Sequence, residues 1–117
     1  MKKILLVDDE ESIHILYRQV LEDEGYKVYS ALTGKDALQT VKIVMPDLVV
    51  LDVYMPEMNG IEVLREIKAI KPNMPVVLFS AYPGFKHDLG AWASDDYIMK
   101  SSNPDDLKAA VSQFFAK

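Results

Sequence analysis

The stretch from Leu48 to Gly60, LVVLDVYMPEMNG, decides the fold. Leu48, Val49, Val50 and Leu51 make an apolar run too short for a helix and without a polar face, the pattern of a strand covered on both sides. Such a strand lies in the middle of a sheet. It ends on Asp52, and the chain then enters a loop where Pro56 has no N–H to donate and Asn59-Gly60 supplies turn chemistry and a helix start. A carboxylate is thereby presented at the carboxyl end of a central strand.

Working outward, strands alternate with helices. Ile4 to Val7 is a second unbroken apolar run, ending in Asp8-Asp9-Glu10-Glu11-Ser12, and reads as the first strand. Ile13, Leu16, Tyr17, Val20 and Leu21 then recur at helical spacing until Gly25 stops the helix. Lys27 to Ala31 alternates, so this second strand is expected half covered, at an edge. Thr33 caps a second helix carrying Ala37, Leu38, Val41 and Val44, which stops before Pro46. The third helix has its stripe on Ile61, Leu64, Ile67 and Ile70 and closes at Lys71-Pro72. Val76 to Phe79 is a fourth strand ending on Ser80.

Ala81 to Ala93 is the least regular segment. Pro83, Gly84 and Gly90 weaken helix formation, while Phe85, Leu89 and Trp92 keep helical spacing, so a short, loosely held fourth helix is expected there, with these three in the core. Tyr97 to Met99 is a short fifth strand that leads to Lys100. Asn103 as cap, Pro104 at the first helical position and Asp105 and Asp106 beside the positive helix end then start a fifth helix, which buries Leu107, Ala110, Val111, Phe114 and Phe115.

Five strands alternating with five helices imply a single α/β domain, a doubly wound (βα)5 unit over residues 1–117 with right-handed crossovers. Strands one, three and four are continuously apolar and so central. That gives the flavodoxin-like parallel order 2-1-3-4-5, in which ligands bind outside the carboxyl ends of strands one and three.

The polar residues at those ends converge. Asp8 and Asp9 follow strand one, Asp52 ends strand three, Ser80 strand four, and Lys100 follows strand five. Carboxylates about 4 to 5 Å apart repel by a few kcal/mol at an effective dielectric near 20, so the group calls for a cation. With oxygen ligands only and room for water, Mg2+ is favoured over zinc or copper. A divalent ion beside a carboxylate suits phosphoryl chemistry, with Asp52 as nucleophile, Ser80 donating to one phosphoryl oxygen and Lys100 placing a point charge near another.

Composition excludes several other classes. The 117 residues are 50% hydrophobic, enough for one core, and no cysteine is present for a disulfide, a thiolate metal site or a thiol nucleophile. A net charge of -5 argues against direct nucleic-acid or anionic-membrane binding. Only four apolar residues precede Asp8 after Met1-Lys2-Lys3, too few for a secretory or membrane segment, and a soluble, cytoplasmic protein is expected. His14 and His87 are expected at the surface, and the methionines are read as gap fillers. A dehalogenase-like phosphatase would need a second acid where Tyr54 stands. A flavin binder would not place Asp8-Asp9-Glu10-Glu11 where phosphate must sit.

Taken together, Asp8-Asp9, Asp52 followed by Met55-Pro56 and Gly60, Ser80-Ala81, and Lys100 preceded by Tyr97 resemble the response-regulator receiver domain of two-component signalling, over the whole chain. The resemblance implies a signalling phosphoacceptor rather than an enzyme. Asp52 would accept a phosphoryl group from a histidine kinase, a phosphotransfer protein or a small phosphodonor. Asp9, Asp52 and the backbone carbonyl of Tyr54 would ligate Mg2+, with Asp8 assisting through water. It also implies a switch in which Ser80 moves to the phosphoryl group and Tyr97 turns inward. The face of the fourth helix, fifth strand and fifth helix would then bind an effector protein or domain, the chain being a monomer or a weak phosphorylation-dependent dimer. Stand-alone and longer regulators both fit this reading.

The family usually has proline after the active-site lysine, joined through a cis bond, but Ser101 follows Lys100 here and a trans bond and a more mobile loop are expected. The departure keeps a rival reading open, a receiver-like scaffold that binds partners without phosphorylation. Tyr54 and Tyr82 lie where the family tunes loss of phosphate, and their rings are expected to screen the attacking water. Tyr54→Ala should therefore shorten the phosphoryl lifetime, measured as loss of the adduct after the phosphodonor is removed; an unchanged lifetime would count against screening.

Overall fold

The computed structural model describes residues 1–52, 60–80, 96–99 and 105–116. In chain order these form β1 (Lys3–Val7), α1 (Glu11–Asp23), β2 (Lys27–Ala31), α2 (Gly34–Val44), β3 (Leu48–Asp52), α3 (Gly60–Ile70), β4 (Val76–Ser80), β5 (Asp96–Met99) and α4 (Asp105–Ala116). The helix expected over Phe85 to Ala93, with Trp92, lies outside the described residues, as does His87.

All strand pairs are parallel and the order is β2-β1-β3-β4-β5, as expected from the unbroken runs. Every residue of β3 is buried, whereas β2 pairs only with β1 and shows exposed Lys27 and Ser30. Side chains of adjacent strand residues point to opposite faces, so the sheet builds two cores. On one face Leu5, Val7, Val49, Leu51 and Leu78 pack with Ala37 and Val41 of α2 and Ile61, Val63, Leu64 and Ile67 of α3. On the other, Ile4, Leu6, Leu48, Val50, Val77 and Phe79 pack with Tyr17 and Leu21 of α1 and Leu107 and Val111 of α4. Tyr17 and Phe79 meet edge to face with centroids 5.1 Å apart.

The helix ends follow local chemistry. Gly25, at φ 93°, ends α1 in a left-handed turn where its N–H donates to the Glu22 carbonyl (2.9 Å) and the Tyr26 N–H to the Leu21 carbonyl (3.3 Å), a Schellman arrangement. Thr33 caps α2 by accepting from the Asp36 N–H at 3.1 Å. Between α1 and α4, Lys108 reaches Glu24 at 2.8 Å; that hydrogen bond, with the Glu24 charge, holds the Lys108 ammonium above its ordinary pKa.

Three expectations need correction. The buried line of α1 is His14, Tyr17 and Leu21, with Leu16 45% exposed: the helix is rotated because His14 finds an acceptor inside the protein. In α3 the buried residues are Ile61, Val63, Leu64 and Ile67, while Ile70, in the last turn, is exposed. Among the methionines, Met74 fills the core, but Met1 and Met45 are exposed.

Leu51→Ala, at a fully buried position of β3, is expected to lower the unfolding free energy by about 2 to 5 kcal/mol. Ile43→Lys, at a side chain 82% exposed on α2, should change it by less than about 0.5 kcal/mol. Urea unfolding of both variants checks the contrast.

Candidate functional site

The carboxyl end of β1 is fastened at three points of one residue. The Asp8 N–H donates to the Ala31 carbonyl at 3.1 Å, extending the ladder to β2 by one step. The Asp8 carboxylate accepts through Oδ1 from the Glu10 N–H at 3.0 Å, an Asx turn that leads the chain into α1. The Asp8 carbonyl accepts from Nε2 of His14 at 2.8 Å. Asp8 is fully buried, while Asp9 and Glu10 are exposed.

The register carries Asp52 to the same place. Val7 pairs with Leu51, so positions 8 and 52 are the next step on neighbouring strands, about 4.8 Å apart in the hydrogen-bonding direction. Both continue the line of Ile4, Leu6, Leu48 and Val50, which faces α1 and α4. Asp52 is 4% exposed and pairs with Phe79, so the backbone of Ser80 lies one step further along β4, opposite Met99 of β5. Tyr97 lies on β5 opposite Leu78. Tyr54 and Lys100 lie outside the described residues, as does the Lys100–Ser101 bond.

Carboxylate oxygens of Asp8, Asp9 and Glu10 lie within 4.8 Å of one another. At that separation a pair of charges repels by about 3 kcal/mol at an effective dielectric of 20, and by less where solvent screens Asp9 and Glu10. The positive end of α1, whose extended N-cap is Glu10, offers only about 0.3 to 1 kcal/mol in return. The donor set of Asp8, Asp9 and Glu10 is all oxygen and includes one wholly desolvated carboxylate, a chemistry that fits a hard divalent cation such as Mg2+.

Glu10 and His14 were not among the residues picked out for the site by sequence. His14 is 7% exposed rather than at the surface. Its spacing to Tyr17 and Leu21, at i+3 and i+7, is the signal that places it on the inner face.

Comparison with known proteins agrees with this geometry. A family model described as "Response regulator receiver domain" matches residues 4–112. The chain belongs to that family. Sporulation initiation phosphotransferase F of Bacillus subtilis is 36% identical over 118 residues, covering 97% of this chain and 93% of that protein. The alkaline phosphatase synthesis transcriptional regulatory protein PhoP of the same organism is 41% identical over 112 residues, 94% of this receiver domain but 47% of the relative's length. The response regulator TrrA of Thermotoga maritima, solved with Mg2+-BeF, has a TM-score of 0.92 at 42% identity, covering 97% of this chain and 98% of that one. TrrA solved with the histidine kinase ThkA has a TM-score of 0.90 at 41% identity, covering 97% of each. Among the described residues no helix is long and apolar enough to cross a membrane.

Asp8→Asn keeps the oxygen that accepts from Glu10 and removes a buried charge. In EDTA it is expected to stabilise the fold by about 1 to 3 kcal/mol in urea unfolding, because the substitution relieves the repulsion between the buried Asp8 carboxylate and its acidic neighbours. Excess Mg2+ should narrow that gap by stabilising the unsubstituted protein more than the variant.

Proposed function

We propose that this receiver domain, over residues 1–117, is a phosphoacceptor in a two-component pathway, taking its phosphoryl group on Asp52 with Mg2+ bound by Asp8, Asp9, Asp52 and the backbone carbonyl of Tyr54. The observation that carries this reading is the register Val7↔Leu51, which sets two buried carboxylates side by side at the carboxyl edge of β1 and β3. Bound Mg2+ would supply positive charge to the phosphoryl oxygens. A carboxylate oxygen of Asp52 attacks phosphorus, a P–O bond forms, and the P–N bond to a kinase or phosphotransfer-protein histidine breaks, the imidazole leaving with the electron pair and gaining a proton. From a small acyl phosphate the leaving group is a carboxylate. Ser80 donates to one phosphoryl oxygen and Lys100 offers its charge to another. Burial of Asp52 excludes bulk water from the acceptor and strengthens these interactions.

The new charge is then read by the protein. Ser80 moves to the phosphoryl group, Tyr97 turns inward, and the face that includes β5 and α4 changes its affinity for an effector protein or domain. The two TrrA structures, a Mg2+-BeF complex and a histidine-kinase complex, support the same assignment by likeness. A cytoplasmic location follows from such a kinase-fed role.

Incubation with Mg2+ and acetyl phosphate, followed by intact mass, tests the reading. One phosphoryl adduct is expected on the unsubstituted protein, with none on Asp52→Asn and none in EDTA. An unmodified native chain under these conditions would favour the scaffold that works without phosphorylation, and an adduct persisting on Asp52→Asn would move the acceptor elsewhere.

A further inference from the structure

We infer that His14 is a positioning residue for the acidic site: by donating from Nε2 to the Asp8 carbonyl it holds the Asp8–Asp9 peptide in the plane that lets the two carboxylates converge on one divalent cation. The inference rests on the cation-dependent reading above and adds a residue to it. A peptide carbonyl can only accept, so the 2.8 Å contact places the ring hydrogen on Nε2. The ring is 7% exposed, and Nδ1 has no hydrogen-bond partner among the described residues, so the Nε2 bond is the polar attachment that orients it.

What the bond controls follows from the residue it reaches. Asp8 is anchored at its N–H by Ala31 and at its carboxylate by the Glu10 N–H, and the His14 bond adds its carbonyl. That carbonyl belongs to the peptide plane leading into Asp9. Asp9 is exposed and not held by burial, so the plane before it constrains where its Cα and Cβ start, and its own rotamer does the rest. The helix brings His14 there without adjustment: Tyr17 and Leu21, at i+3 and i+7 on the same buried line, seat α1 against the sheet and aim position 14 at the end of β1. A buried donor on a helix thus fixes a main-chain group, and the main-chain group constrains where an exposed ligand starts.

Calorimetric titration of the full chain with Mg2+ alone tests this, with urea unfolding run alongside. His14→Phe keeps a ring and removes the donor; His14→Gln can place an N–H close to the original Nε2. His14→Phe is expected to weaken Mg2+ binding about three- to tenfold, the scale of one buried hydrogen bond, and His14→Gln to stay within about twofold of the native chain. Mg2+ affinity unchanged in His14→Phe, or equally weakened in both variants, would overturn the assignment, even if stability falls. Should His14→Phe not fold, the ring nitrogens of 15N-labelled native protein decide. A hydrogen on Nε2 whose signal shifts as Mg2+ is added supports the role, and a hydrogen on Nδ1 overturns it. A native chain that takes up no Mg2+ sinks the cation-dependent reading and this inference together, whereas native binding with indifferent variants sinks this inference alone.

Discussion

The pairing of β1 with β3 is the constraint on which the rest of the structure depends. Both strands are buried on both faces, so neither has a polar face whose exposure would set their register. Their ends do it instead. At the amino edge the Lys3 N–H donates to Asp47 Oδ2 at 2.7 Å, the Asp47 N–H to the Lys3 carbonyl at 2.8 Å, and the Lys3 ammonium to the Val44 carbonyl at 2.8 Å. At the carboxyl edge Asp8 and Asp52 close the runs. A slip of one residue would break the Lys3–Asp47 clasp, drive a charge toward the interior, and separate the two aspartates onto opposite faces.

The register that builds two cores therefore also builds the site. The end of α1 offsets only part of the roughly 3 kcal/mol by which one close carboxylate pair repels. Hydrogen bonds to Asp8 hold geometry but add no charge. An ion of opposite sign would offset the rest, so the residues that crowd negative charge at this edge also suit a divalent cation.

How much of this was legible in the sequence depended on whether side-chain period alone decides the outcome. Runs such as Leu48–Leu51 and Ile4–Val7 have one reading once turns bound them, and they carried the strand order and the alignment of Asp8 with Asp52. Helix rotation was less legible. On α1 the apolar residues Ile15 and Leu16 are exposed while His14 is buried and hydrogen-bonded to the Asp8 carbonyl across the β1–α1 turn. That acceptor is a backbone atom, which no residue letter announces. Ile70 keeps the stripe of α3 but is the last residue of the helix, where helical spacing alone does not ensure burial.

The two bacterial relatives differ in length. One is covered almost entirely by this chain and the other for less than half its length, yet both match it across nearly all of its residues. The described acids sit at the ends of β1 and β3, strands that pair directly, and Ser80 ends the next strand over. Because adjacent strands meet at a fixed spacing of about 4.8 Å, the placement of these groups is a property of the sheet and not of whatever is joined to it. A longer chain could then continue beyond this domain without altering the acidic edge, whose geometry depends on three neighbouring strands and not on what adjoins them.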